Sequence, residues 1–147
     1  MKDYTKKYKV GYTTGVYDMF HIGHLNIIKK AKEQCDYLIV GVTTDQLCFE
    51  RKNKFPIINE SDRMAIIGEL RCVDKVVPQE NMDKLEVVKK FGVDVVFVGS
   101  DWKGTDIWNK YEQEFAEVGC AVVYINHTDG ISSTILRDRL NKGETAL

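Results

Sequence analysis

A Rossmann-like, doubly wound α/β fold with a five-stranded parallel sheet is what this 147-residue sequence predicts, on three observations. Short apolar runs rich in β-branched residues alternate with longer amphipathic segments along the chain. The runs are continuously apolar rather than alternating, as strands covered by helices on both faces must be. The length suits one domain of about 100–200 residues, enough to bury a core without a disulfide or a structural metal.

Taken in order, Tyr8 to Thr14 is the least apolar run but sits where a first strand belongs. His24–Cys35 has helical period, with Leu25, Ile28 and Ala31 on one face and Lys29, Lys30, Lys32 and Glu33 elsewhere. Tyr37–Val42 is a strand buried on both faces. Ser61–Leu70 reads as a helix with Ala65, Ile66 and Leu70 inward, and Val76-Val77 before Pro78 as a short strand. Leu85, Val88 and Phe91 mark a helix that Gly92 can end as a left-handed cap. Val93–Val98 and Ala121–Ile125 complete the sheet. The domain is expected to span residues 8–141, with flexible ends at 1–7 and 142–147.

The composition narrows the function classes. Residues are 44% hydrophobic and 29% charged, with a formal net charge of -1. That balance argues against broad nucleic-acid binding, which needs many uncompensated cations, but leaves room for a small polyanion held by a few local ones. No run of about 18 apolar residues suggests a membrane span, and the lysine-rich start lacks an apolar signal segment. Cys35, Cys48, Cys72 and Cys120 are dispersed, without metal-like spacing, and read as reduced thiols of a cytoplasmic protein.

In doubly wound sheets ligands bind beyond the carboxyl ends of the strands. The segment after the first strand is Thr13-Thr14-Gly15-Val16-Tyr17-Asp18-Met19-Phe20-His21-Ile22-Gly23-His24. Gly15 permits a sharp turn and close approach of backbone amides to a ligand. The following helix turns its free amides and positive dipole end to the same place, which suits a phosphate. The chain has three histidines, and two fall here, three residues apart at the helix entry. Each can donate to a phosphate oxygen and, when protonated, neutralise charge developing on phosphorus. Neither the Gly-x-x-x-x-Gly-Lys-Ser/Thr nor the Gly-x-Gly-x-x-Gly phosphate loop is present. Asp18 reads equally as a turn carboxylate or as a group orienting a histidine or a metal-associated water.

The pattern Gly15-x-x-Asp18-x-x-His21-x-Gly23-His24 resembles the first signature of the cytidylyltransferase family, within the His-x-Gly-His nucleotidyltransferases. Three further segments resemble those of glycerol-3-phosphate cytidylyltransferases, in the same order. They are Arg71-Cys72-Val73-Asp74-Lys75-Val76-Val77-Pro78, Gly99-Ser100-Asp101-Trp102-Lys103-Gly104 and Thr128-Asp129-Gly130-Ile131-Ser132-Ser133-Thr134. The likeness runs from about Val10 to Leu140.

The resemblance implies a nucleotidyltransferase-type fold and the reaction NTP + R-phosphate → NDP-R + pyrophosphate. It implies CTP as nucleotide and glycerol 3-phosphate as the first-choice acceptor, with CDP-glycerol as a precursor of teichoic-acid or capsule polymer. Catalytic roles fall by resemblance on His21, His24, Lys54 and Arg71. Nucleotide contacts fall on Gly15, Val16, Tyr17, Gly23, Gly99 and Asp101, the last toward a ribose hydroxyl. Further contacts fall on His127, Thr128, Gly130, Ile131, Ser132, Ser133 and Thr134, where Ser132 or Ser133 can cap a helix aimed at the β- and γ-phosphates. Asp18, Lys52 and Lys84 are assigned to the acceptor. Arg63 also fits a position where the family keeps an arginine near the site. Arg51, Lys52 and Lys54 are placed in a polar loop after the second strand. Mg²⁺ is expected to be held through the nucleotide phosphates, with no dedicated protein metal site, and the enzyme to be a homodimer.

The sequence departs from the family at His127, where the family has Arg, a permanently charged, two-pronged phosphate ligand. Ile131-Ser132-Ser133-Thr134-Ile135-Leu136-Arg137 also resembles a motif of nicotinamide mononucleotide adenylyltransferases. Arg137, one turn beyond Ser133, either supplies the cation that His127 does not or is a surface arginine. An ATP-using adenylyltransferase is therefore the first alternative, and a catalytically silent nucleotide sensor the second.

Overall fold

Five parallel strands form one sheet: β1 (Tyr8–Gly15), β2 (Cys35–Thr43), β3 (Lys75–Gln79), β4 (Val95–Gly99) and β5 (Ala121–Ile125), in the order β3-β2-β1-β4-β5. The structure is a computed structural model, and it describes residues 6–128 and 130–143. Strand order reverses at β1, which pairs with β2 on one side (Tyr12 against Ile39) and with β4 on the other (Tyr12 against Val96). This is the predicted doubly wound sheet, and the crevice at its switch point opens beyond Gly15 and Gly99.

The helices are α1 (Ile22–Glu33), α2 (Asp45–Lys52), α3 (Glu60–Gly68), α4 (Lys84–Phe91), α5 (Asp106–Ala116) and α6 (Ser133–Asn141), with a 3₁₀ turn at Ser100–Trp102. Alternate residues of the strands feed two cores. Leu38, Val40 and Val42 pack with Ile28, Ala31 and Ile67 on the α1 and α3 face. Ile39, Tyr12 and Val96 pack with Val88, Trp108 and Phe115 on the α4 and α5 face. Gly92 ends α4 in the left-handed conformation, as expected. All four cysteines are free thiols, three of them buried. Among the described residues no helix is long and apolar enough to cross a membrane.

Four expectations need correction. α3 buries Arg63 and Ile67, while Ala65 and Ile66 are exposed. Asn59 caps the helix by accepting from the Asp62 amide, and the inward stripe runs Arg63-Ile67 because the arginine is used inside. Arg51 and Lys52 lie in the last turn of α2 rather than in a loop, since Thr44 caps a helix that apolar periodicity did not reveal. α1 begins two residues earlier than predicted, because His21 caps it. Of the expected flexible ends, 1–5 and 144–147 lie outside the described residues. Lys6, however, is fastened: its backbone N–H donates to Asp36 Oδ1 (3.3 Å) and its Nζ to the Lys32 carbonyl (2.7 Å).

Candidate active site at the switch point

The two histidines themselves start α1. His21 is the N-cap residue, and its Nδ1 accepts from the Gly23 amide at 3.1 Å. The His24 Nδ1 accepts in return from the His21 amide at 3.3 Å. The pair forms a reciprocal capping box built from imidazoles. With both Nδ1 atoms accepting, each neutral ring carries its proton on Nε2. The His21 Nε2 is buried and has no partner among the described residues, an orphan donor awaiting a ligand. The rings stack at 3.8 Å, and Tyr17 and Phe20 enclose His24 at 5.4 and 5.5 Å.

Burial, aided by the neighbouring His21, pushes His24 down to about 4, and burial lowers His21 as well. Both shifts favour the neutral imidazole, in which each ring donates through Nε2. Gly23 is required by contact: a Cβ there would lie 2.9 Å from the His21 ring and 3.3 Å from Ile131.

The loop that delivers the histidines is clamped from two sides. Arg63, 1% exposed, donates to the carbonyls of Val16 (2.7 Å), Thr43 (2.7 Å) and Ile58 (2.8 Å) and pairs with Asp45 at 2.6 Å. Its family position near the site is thus a structural one, and the Val16 carbonyl is already committed. Tyr17 lies under Gly15, with its ring 2.7 Å from where a Gly15 Cβ would stand.

Asp18, 2% exposed, accepts from the Ile57 and Ile58 amides at 2.9 Å each and from Arg137 at 2.7 Å. Burial alone would raise its pKa, but those amides and the guanidinium hold it below the usual carboxylate range. Asp18 therefore neither orients a histidine by contact nor offers free oxygens to an acceptor. Arg137 is its ion partner, a contact that neither sequence reading of Arg137 anticipated.

α6 starts beside this loop. Ser132 is its cap, accepting from the Ile135 amide at 3.1 Å and keeping its own proton available. Ser133 donates to the Asp18 carbonyl at 2.7 Å, which commits its hydroxyl proton. Thr134 is exposed, and Gly130 takes a left-handed φ of 79°. Thr128 accepts from Asn26 at 2.9 Å, a contact that nothing in the sequence pattern signalled. Asp129 lies outside the described residues. At the rim, His127 Nε2 stands 2.9 Å from Asp101 Oδ1, both largely exposed. Gly99 leaves room for this pair, since a Cβ there would meet the His127 ring at 2.7 Å.

Lys84 lies on the opposite face of β1. It is 6% exposed, donates to Thr14 Oγ1 at 2.9 Å and sits 5.9 Å over the Trp108 ring. No carboxylate pairs with it among the described residues. Burial, with the Arg51 charge adding to it, pushes its ammonium down to about 8. Lys84 lines a cavity with Tyr12, Gln79 and Asn81 beyond the end of β3. Arg51 and Lys52 both lie exposed in the last turn of α2, and of the two only the Arg51 charge acts on Lys84.

Lys54 is exposed beside Phe55, Ile57 and Arg137, next to α6. Arg71 stands apart, in the turn before β3 at the amino-terminal edge of the sheet. It neighbours Cys72, which feels Lys29 and Lys32 at the far end of α1. α1 is about 18 Å long at 1.5 Å per residue, so this chain does not bring Arg71 to its own histidines.

A family model described as cytidylyltransferase-like matches residues 12–139. The chain belongs to the cytidylyltransferase-like family. It is 36% identical over 129 residues to the glycerol-3-phosphate cytidylyltransferase of Staphylococcus aureus, covering 87% of this chain and 92% of that one. It is 39% identical over 99 residues to the FAD synthase of Thermococcus sibiricus, covering 66% and 67%. Among solved structures it is similar to the lipopolysaccharide core biosynthesis protein of Thermoplasma volcanium. The TM-score there is 0.68 at 28% identity, covering 82% of this chain and 96% of that one. This cytidylyltransferase-like chain is thus an enzyme of the nucleotidyltransferase class, and the imidazole capping box is the family's His-x-Gly-His segment seen in three dimensions.

Proposed function

We propose that this enzyme transfers CMP from CTP to a small phosphorylated alcohol, glycerol 3-phosphate first, and releases pyrophosphate. An acceptor phosphate oxygen attacks the α-phosphorus, the bond to the β-phosphate breaks, and pyrophosphate leaves. The attacking phosphate is already anionic, so positioning and charge stabilisation suffice without a general base. The observation that carries this reading is the orphan Nε2–H of His21 beside that of His24, two neutral donors fixed by the α1 capping box. In this reading Lys54 and the α6 start hold the β- and γ-phosphates, and Asp101 meets the ribose. Lys84 and Arg51 hold the acceptor phosphate. Mg²⁺ comes bound to the nucleotide and supplies charge neutralisation. The donors that the crevice offers, imidazole N–H, hydroxyls and cations, suit a nucleotide that brings its own metal. The product is CDP-glycerol, made by a cytoplasmic homodimer for cell-wall or capsule polymer.

Similarity to the S. aureus enzyme and the Asp101-Trp102-Lys103-Gly104 segment support cytidylyl transfer to glycerol 3-phosphate. A second reading, adenylyl transfer from ATP, is favoured by Ile131–Arg137 and by the FAD synthase relative. Pyrophosphate release with CTP, ATP, GTP and UTP against a panel of phosphate acceptors decides between them. Release with CTP and glycerol 3-phosphate is expected. Release with ATP alone would exclude the cytidylyl assignment, and no release with any pair would exclude both.

A further inference from the structure

The loop between β1 and α1 carries a conformation that its own sequence disfavours. Tyr17 has φ 55° and Met19 φ 50°, two left-handed residues that are neither glycine nor asparagine, on either side of Asp18. Such conformations persist only where the surroundings over-determine them. Asp18 supplies that determination. Its carboxylate takes the Ile57 and Ile58 amides and Arg137, and its carbonyl takes the Ser133 hydroxyl. Three segments distant in sequence thus meet on one residue: the strap that follows Lys54, the first turns of α6, and the loop that ends in His21.

We propose that Asp18 is a positioning residue, a latch that holds Lys54 and the α6 start in register with the histidine pair. The nucleotide's β- and γ-phosphates then meet a site assembled beforehand. The proposal rests on the triphosphate placement given under the proposed function, and it assigns Asp18 no contact with substrate. Arg137 acts through the same carboxylate. Its charge serves the latch rather than the nucleotide.

The latch predicts a loss confined to the outer phosphates. A residue that merely supports the fold would weaken all ligands alike. Binding of CTP and of CMP in Mg²⁺ buffer is measured by calorimetry for Asp18→Asn and Arg137→Gln, with thermal unfolding in parallel. The expected result is at least a tenfold loss of CTP affinity with less than a twofold change for CMP. The double variant should be no worse than the weaker-binding single one, because both changes open one latch. Arg137→Gln keeps the Asp18 amide contacts and secures the test should Asp18→Asn fold poorly. Equal losses for CTP and CMP, or an unchanged CTP-to-CMP preference in both variants, would overturn the latch. Lys54→Ala separates that failure from failure of the underlying reading. If Lys54→Ala lowers the preference while Asp18→Asn and Arg137→Gln do not, the latch falls alone. If none of the three lowers it, the placement of the triphosphate falls too.

Discussion

The two faces of β1 meet at the same carboxyl end, yet they prepare for anions in opposite ways. On the α1 face, His21 and His24 are neutral, aromatic-walled and locked by backbone amides. On the α4 face, Lys84 is a buried cation that donates to Thr14, lies over the Trp108 ring and shares its cavity with Gln79, Asn81 and the carboxylates Glu80, Asp83 and Glu86, none of them paired with it among the described residues. The first arrangement stabilises the fold, because its Nε2–H donors are the far ends of a helix cap. The second opposes the fold, because a buried ammonium that no carboxylate pairs with directly is unfavourable. The difference teaches where selectivity is stored: in geometry on one side, in unspent charge on the other.

The largest expected effect breaks the first half. His24→Ala removes an Nε2–H donor and should lower kcat by about 10²–10³-fold, the usual scale for one pre-organised donor. His21→Asn should lower kcat comparably while retaining the cap, because Asn is among the best capping residues. Urea unfolding should therefore separate His21→Asn from His21→Ala, with His21→Ala less stable by about 1 kcal/mol. Imidazole nitrogen chemical shifts at pH 7 provide the direct check. Both rings should show protonated Nε2 and bare Nδ1, and a doubly protonated ring on either would refute the neutral-donor assignment.

The second half gives the next effect, and there activity and stability should part. Lys84→Met should raise the acceptor KM about 10²-fold, as loss of a desolvated charge-assisted contact does. The same change should stabilise the free protein. The folded-state pKa of Lys84, about 8, lies below that of the free side chain. The unfolded chain then binds more protons between about pH 8 and 10.4, so stability rises with pH through that window. At pH 7 the full penalty is present, and Lys84→Met should recover on the order of 2 kcal/mol. For the wild-type enzyme, kcat/KM for the acceptor should fall above about pH 8 as Lys84 loses its proton, and Lys84→Arg should move that limb out of range. A destabilised Lys84→Met protein would remove the contrast between the two faces.

The same division explains what the sequence disclosed. The five strands, the switch point and the histidine pair were readable because each is local: β-branched runs, a glycine turn, two imidazoles at a helix entry. The inward face of α3 was misread because Arg63 sits in the core by virtue of four acceptors drawn from Val16, Thr43, Asp45 and Ile58, far apart in the chain. Asp18 left two readings open because its partners, Ile57, Ile58 and Arg137, lie about 40 and 119 residues away. Lys84 was found by resemblance. Its burial, which gives it its chemistry, comes from α5 packing against the far face of the sheet. Arg71 matched a family segment, yet β3 begins after it, so the fold carries it to the wrong end of the sheet for this chain's site.

The smallest expected effect sharpens the charged half rather than breaking it. Arg51 and Lys52 are neighbours in the last turn of α2, both exposed, and a sequence pattern favours Lys52. Successive helical residues point about 100° apart, so the two cannot serve one cavity equally. Burial, Glu114 and Asp83 raise the Tyr111 phenol and the Arg51 charge opposes them, as it adds to the burial that lowers Lys84. Both groups belong to the α4 and α5 face. Arg51→Gln should therefore raise the acceptor KM about tenfold, the scale of one partly exposed charged contact, with kcat and the CTP KM nearly unchanged. Lys52→Gln should change the acceptor KM less than about twofold, as solvated surface charges do. Arg51→Gln should also let the Lys84 pKa rise, moving the alkaline limb of acceptor kcat/KM upward, because one of the two causes that depress it is gone. If Lys52→Gln carries the larger KM effect and the limb stays in place, the acceptor cavity is charged from Lys84 alone and α2 contributes to it through Lys52.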